Sequence, residues 1–311
     1  LKTNYRLGGI VHSLRDPLPV RGTTMIVGAD VTHPGKVNDT TCPSMAGVVA
    51  TYDTYYMTYL ASARLQKKNT EHISDLKGMM KERLHAYKSK NGGSLPEHIL
   101  FYRDGVSESQ FGEVRATELP QIIEACKEEA GAVPRPRITL VIVIKRHHSR
   151  FFPNPENRQN NKSGLLVDET VVAPKQFNFY LQAHDSPIGT ARNTHYVVLE
   201  NESGYNADEL QSITNKLSFT ASKGTKGLSV CTPARYADTL CDRLRRYMRP
   251  ALELDRSVNY PNYPDHTLIN YNHDVVIWNA PRAAIKVNGR TTVEARTNPW
   301  RPELNDFMFY L

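Results

Sequence analysis

The run Ile138-Thr139-Leu140-Val141-Ile142-Val143-Ile144 has almost no polar interruption and is dominated by β-branched side chains. A segment of this kind has no wet face, so it must be a strand covered on both sides, at the centre of a sheet that carries helices. The flanking pattern agrees. Thr24-Met25-Ile26-Val27-Gly28-Ala29 is a short apolar run stopped by Asp30-Val31-Thr32-His33-Pro34-Gly35, and His98-Ile99-Leu100-Phe101-Tyr102-Arg103 is another, stopped by Asp104-Gly105. Residues 44–52 and 55–65 are β-rich and split by Asp53-Thr54, which reads as an antiparallel hairpin. Between Thr70 and Tyr87, the residues Ile73, Leu76, Met79, Met80, Leu84 and Tyr87 recur at helical spacing, with Asn69 or Thr70 as the cap. A second helix is expected with Pro120 in its first turn and Gly131 at its end. Further strands are expected at 176–182 and 195–199, and helices at 207–220 and 233–248. The order defines an α/β chain, a mixed sheet with helices packed against it.

Composition narrows the class. The 311 residues include 40% hydrophobic ones, enough for a substantial core, which excludes a fully disordered or collagen-like chain. No apolar stretch reaches the roughly 18 residues of a membrane span, so no membrane partner is expected. Cys42, Cys126, Cys231 and Cys241 are widely spaced and form neither a disulfide framework nor a zinc motif, which suits a reducing compartment. The net charge of +7 points weakly to a polyanion. The chain starts abruptly without Met, as a fragment of a longer protein would. Residues 153–175 read as a long polar loop, and 249–303, rich in Tyr, Pro and Asn, as an insertion near the end.

Asp30 and Asp104 each close a strand. Ligands gather at the carboxyl ends of strands in open α/β sheets, so neighbouring strands would bring both carboxylates into one cleft. For either acid alone, a turn-forming or capping role is the simpler reading. A hard divalent cation needs further oxygen ligands. Glu71 and Asp238 are chemically suitable, but among 32 acidic residues spacing does not select them. Lys145-Arg146-His147-His148-Ser149-Arg150 directly follows the central strand, where a rigid base can present cations to phosphates.

Three blocks, Gly28-Ala29-Asp30-Val31-Thr32-His33-Pro34, Phe101-Tyr102-Arg103-Asp104-Gly105-Val106-Ser107 and Lys145-Arg146-His147-His148-Ser149-Arg150-Phe151-Phe152, closely resemble hallmark segments of the PIWI domain of eukaryotic Argonaute proteins. Phe177-Asn178-Phe179-Tyr180-Leu181 and Asp208-Glu209-Leu210-Gln211-Ser212-Ile213-Thr214 add two more in the same order. The resemblance implies an RNase H-like fold and small-RNA-guided, two-metal-ion cleavage of a target RNA, leaving a 5′-phosphate and a 3′-hydroxyl. It implies Mg²⁺ as cofactor, with Mn²⁺ as substitute, held by Asp30, Glu71, Asp104 and Asp238; the last stands where animal relatives often carry His. It implies RNA contacts from Lys145, Arg146, His147, His148, Arg150, Lys223 and Lys226, and guide 5′-phosphate contacts from Lys2, Arg6 and Arg243.

By the same resemblance, 1–20 is the tail of a MID domain with its linker, and 21–311 is the PIWI domain. The N-terminal, PAZ and remaining MID domains would belong to the same longer chain. The implied partners are a small guide RNA, a complementary target RNA and silencing cofactor proteins, in the cytoplasm. The alternative is a guide-binding module that silences by recruiting partners, with weak or no cleavage.

Overall fold

The computed structural model describes residues 1–33, 44–67, 69–153, 159–252, 285–287, 290–292, 298, 300 and 302–311. A short helix α1 (Lys2–Arg6) precedes strand β1 (Thr24–Thr32), and the expected hairpin forms from β2 (Ser44–Thr51) and β3 (Tyr59–Gln66). Helix α2 (Leu76–Lys90) leads to β4 (His98–Asp104). A helical segment, α3 (Phe111–Glu113), passes through a π-helical turn at Val114–Glu118 into α4 (Leu119–Ala130), and β5 (Arg137–Ile144) follows. Strands β6 (Leu165–Val167), β7 (Asn178–Gln182) and β8 (Thr194–Asn201) precede helices α5 (Ala207–Leu217) and α6 (Thr232–Leu252).

The eight strands form one sheet in the order β3-β2-β1-β4-β5-β8-β7-β6. Strands β1, β4 and β5 are parallel and the rest of the pairings antiparallel. Alternation along each strand feeds two cores. Val141 and Val143 of β5 join Leu100, Tyr102 and the apolar faces of α5 and α6 on one side. Ile138, Leu140 and Ile142 join Phe101 and the buried residues of α2 and α4 on the other. The central strand is therefore covered on both faces, as its composition demands. Met308, Tyr310 and Leu311 are buried in the α5/α6 core, and the Tyr310 hydroxyl donates to the Tyr59 carbonyl at 2.9 Å.

Several boundaries differ from the expectation. β1 continues through Asp30 to Thr32, because Asp30 and Val31 still have partners, Gly47 and Ala46, on β2. α2 starts at Leu76, not near Thr70; Asp75 is its N-cap and accepts from the Gly78 amide at 3.1 Å. The polar 153–175 segment contains β6, which extends the sheet by pairing with β7. Helix α6 runs to Leu252, into the proposed 249–303 insertion. Most of that insertion lies outside the described residues, which show there a short antiparallel pair, β9 (Ile285–Val287) and β10 (Arg290–Thr292). Cys126, Cys231 and Cys241 are buried free thiols, and Cys42 lies outside the described residues.

Two glycines set how closely α6 lies on the sheet. A Cβ at Gly28 would sit 2.0 Å from the Pro233 carbonyl oxygen, and one at Gly47 would sit 2.9 Å from Cys241 Sγ. The helix thus rests on bare strand backbone, close enough for Cys241 Sγ to donate to the Asp30 carbonyl at 3.4 Å. Gly28→Ala would push backbone against backbone and should cost about 1–3 kcal/mol or more. Gly112→Ala, with nothing within 4 Å of the added Cβ, should be neutral to mildly stabilising. Denaturation midpoints of the two variants against the parent check both outcomes.

Candidate active site

Asp30 and Asp104 lie on adjacent parallel strands whose register pairs Ala29 with Arg103, one residue earlier in each. Both follow the alternation of Ile26 and Gly28, and of Leu100 and Tyr102, so both carboxylates point to the α6 face. Asp238, two turns into α6, lies over this end of the sheet. Glu71 comes from the loop before α2. A Cβ added at Gly105 would lie 3.0 Å from Asp30 Oδ1 and 3.2 Å from Glu71 Oε1, so these two oxygens face one point. Gly105 has φ of +88°, a conformation that favours glycine and turns the chain away just beyond Asp104.

The field of the cluster is strongly negative. Burial pushes the Asp30 carboxyl well above the usual carboxylate range; Asp104, Asp238 and Glu71 push it further, and Arg103 opposes them. Burial lifts Asp104 to about 6 against the Gly105 amide, which donates to Oδ1 at 2.8 Å. Asp238 is raised by burial and held back by Arg235, whose Nη1 lies 2.7 Å from Oδ2. Lys145, held 2.6 Å from Ser229 Oγ, is close enough to Asp104 and Asp238 to interact with both. An all-oxygen set with excess negative charge suits a hard divalent cation such as Mg²⁺ or Mn²⁺. Among the described residues, no group of three His, Cys, Asp or Glu closes to metal-holding geometry. Two of the four acids are instead turned onto cations of the chain.

Glu71 is one of these. Its Oε2 lies 2.7 Å from His33 Nε2, while His33 Nδ1 lies 2.7 Å from Ser44 Oγ. Its Oε1 accepts from Arg103 Nη1 at 3.2 Å, and its carbonyl accepts from Arg103 Nη2. Arg103 points to the face opposite Asp104 and is fully buried, with its fork on the equally buried Glu118 (Nε to Oε2, 3.0 Å; Nη2 to Oε1, 3.1 Å). Glu118 Oε1 also accepts from the Ile73 amide at 2.9 Å. Residues 71–73 are thus pinned outside the helix that the apolar spacing predicted, because His33, Arg103 and Glu118 claim their polar groups. His33, Ser44, Arg103 and Glu118 escaped the residue-level reading. An Arg inside an otherwise apolar strand was the available signal, since a buried guanidinium requires an acid.

The basic residues divide by exposure. Arg146, His148, Lys223 and Lys226 are exposed, and Lys2 is exposed near Lys223. Lys145, His147 and Arg150 are partly buried. Arg150 donates to the His147 and Ser149 carbonyls, and His147 Nε2 lies 2.7 Å from the Asn193 carbonyl. His147 also packs edge-on against Tyr180, whose ring stacks on His195 at 4.1 Å. Arg6 is partly buried on α1, and Arg243 donates to the Tyr310 and Leu311 carbonyls at 3.4 and 3.1 Å. The structure brings the four acids and Lys145 into one cleft. Arg243 sits instead at the buried C-terminal residues.

The Piwi domain family model matches residues 1–249, and the chain belongs to this family. It is 39% identical over 261 residues to Protein argonaute 18 of Oryza sativa and 38% identical over 255 residues to Protein argonaute-2 of Drosophila melanogaster. Each alignment covers 80% of this chain but only 24% and 21% of the relative, so the chain spans less than a quarter of their length. The fold matches the C-terminal lobe of a budding yeast Argonaute with a TM-score of 0.79 at 27% identity, over all of this chain and 59% of that one. It matches Kluyveromyces polysporus Argonaute with a guide RNA with a TM-score of 0.80 at 26% identity, over all of this chain and 34% of that one. The eight-stranded mixed sheet flanked by helices is the RNase H-like fold of these Argonaute lobes.

Arg103→Met should destabilise the protein by about 3–5 kcal/mol by leaving Glu118 charged and buried. Arg103→Met combined with Glu118→Leu should regain most of that loss, which a double-mutant comparison of denaturation midpoints reads directly. Burial and the nearby His147 push His195 down to about 4. The unfolded chain binds a proton there near pH 6.5 and the folded one does not, so stability is present above pH 6.5 and falls as pH drops towards 4. His195→Gln, which keeps a donor for Asn178 Oδ1 at the present 2.9 Å contact, should flatten part of that fall in a midpoint-against-pH series.

Proposed function

We propose that the chain is the cleaving domain of a small-RNA-guided endoribonuclease that acts in gene silencing. The observation that carries the reading is the placement of Asp30 and Asp104 at matching ends of adjacent parallel strands, with Glu71 and Asp238 in the same electrostatic cluster. In this reading Asp30, Glu71, Asp104 and Asp238 hold two Mg²⁺ ions, with Mn²⁺ as a substitute. The bound ions supply an acidified water and the charge that stabilises the leaving 3′ oxygen. The strand carboxylates give the site a rigid base. Arg103 and His33 orient Glu71, α6 carries Asp238 over the sheet, and Lys145 offsets negative charge beside the scissile phosphate.

Arg146, His148, Lys223 and Lys226, with Lys145, His147 and Arg150 behind them, contact the RNA backbone. Lys2, Arg6 and Arg243 contribute to the guide 5′-phosphate site. Residues 1–20 belong to the end of a MID domain and 21–311 to the PIWI domain, and N-terminal, PAZ and MID domains complete the protein. Pairing with the guide reads the target sequence, while the protein reads the backbone of an A-form duplex. Binding should weaken steeply with salt. Silencing cofactor proteins and a cytoplasmic location complete the proposal.

A second reading, a guide-binding module with weak or no cleavage, is favoured by the engagement of Glu71 and Asp238 with His33, Arg103 and Arg235. The full-length protein loaded with a guide and given a matched target separates the two. Cleavage in Mg²⁺ that is lost in EDTA, and reduced at least about 100-fold by Asp104→Ala with guide binding retained, is the outcome expected of the nuclease. Cleavage unchanged in Asp104→Ala would sink the assignment, and target binding without cleavage in the parent would establish the second reading.

A further inference from the structure

Asp238 differs from the other three acids in what holds it. Asp30 and Asp104 stand on strands, and Glu71 is pinned by Arg103, a fully buried side chain that is itself locked on Glu118. Asp238 is met by Arg235, three residues earlier on the same face of α6, through one hydrogen bond from Nη1 to Oδ2 at 2.7 Å. The Arg235 side chain is 42% exposed and makes no other side-chain hydrogen bond or ion pair among the described residues. An exposed pair with a single point of contact is weak and open to exchange, whereas the buried pair of Arg103 with Glu118 is not.

Arg235 also stands among cations. Its charge bears on Lys145, just beyond β5, and on Lys223, in the loop before α6. Asp238 faces all three, while Asp104 lies within reach of Lys145 and Asp242 within reach of Lys223. Lys145 is tied to Ser229 Oγ at 2.6 Å, so Arg235 is the cation whose release Asp238 controls. A divalent cation on the Asp238 carboxylate would set a double charge beside the guanidinium, in a cluster where Lys145 and Lys223 already repel it. The pair with Asp238 then loses its electrostatic basis, and Arg235 is left at the open side of the cleft in need of another anion.

We propose that Arg235 is an exchangeable counter-ion, which covers Asp238 until a divalent cation takes that carboxylate and then turns its guanidinium onto an RNA phosphate in the cleft. It is thus a positioning residue that couples occupancy of the acid set to the binding of RNA. The inference rests on the reading of the four acids as metal ligands. A guanidinium suits the second position because its parallel N–H groups match two oxygens of a phosphate, where it now makes a single contact to Asp238. The coupling runs both ways, so RNA that draws Arg235 away bares Asp238 and tightens cation binding. The engagement of Asp238 with Arg235 then belongs to a nuclease waiting for its cation and its RNA.

Direct binding of Mn²⁺ to the full-length protein tests this, with free Mn²⁺ followed by electron paramagnetic resonance. A site is assigned to the acid set where it disappears in Asp30→Asn. Titrations are run without RNA, and with a guide and a matched target that carries a 2′-O-methyl group at the scissile position to block cleavage. Without RNA, Arg235→Met should bind Mn²⁺ at least about threefold more tightly than the parent, the factor that removal of an exposed ion pair of ordinary strength implies. With guide and target bound, the parent should tighten and the gap between the two proteins should close to within about 1.5-fold. Unfolding midpoints of the two should agree within about 2 °C, so that loss of folding does not enter the comparison. A threefold gap that persists with RNA bound marks a fixed pair and overturns the inference, as does equal affinity without RNA. Absence of any Asp30-dependent Mn²⁺ site, with or without RNA, overturns the reading of the acids as metal ligands and the inference with it.

Discussion

The buried ion pair between Arg103 and Glu118 is the contact on which the arrangement around the acids depends. Both side chains are fully shielded, so neither tolerates the loss of the other. One end of the pair is fixed in β4 and the other in the π-helical turn ahead of α4. From that anchor, the remaining guanidinium donors reach the Glu71 carboxylate and carbonyl, and Glu118 takes the Ile73 amide. A pair that is costly to desolvate thereby specifies the course of a loop with little apolar surface of its own. His72 and Gln121 extend the same contact, the first to Glu113 and the second to the Ile73 carbonyl.

The opposite face is organised by absence of side chain. Gly28 and Gly47 let α6 settle on strand backbone, and the helix then carries Asp238 into reach of Asp30 and Asp104. Burial raises the carboxyls of all three, so the face on which α6 rests directly on strand backbone also carries crowded negative charge. A divalent cation is the natural remedy for such a set. Arg235, Lys145 and Arg103 supply opposing charge from the chain itself.

Local signals in the sequence carried the sheet well. The unbroken β-branched run became β5, covered on both faces, and the two acid-terminated runs became β1 and β4. They were legible because strand composition reports burial directly. The apolar spacing puts the start of α2 about six residues early, since Ile73 fits the helical spacing while long-range partners hold its backbone outside the helix. Such partners leave no periodic trace, and the links from His33 to Ser44 and Glu71, and from Arg103 to Glu118, join residues 11 to 38 positions apart. Asp30 and Asp104 could be suspected from their settings at strand ends. Glu71 and Asp238 could not be chosen among the acids by spacing, and came only from the resemblance of their surrounding blocks.

The parallel pairing of β1 with β4 also acts as a ruler. Neighbouring strands lie about 4.8 Å apart, a spacing held by backbone hydrogen bonds that no side-chain replacement alters. The separation between the Asp30 and Asp104 backbones is therefore a property of the sheet. Glu71 and Asp238 approach from a loop and a helix, where a shift in packing can move them. Divergence among chains of this architecture can consequently adjust half of the acid set by degrees, while the other half keeps its gauge for as long as the sheet exists.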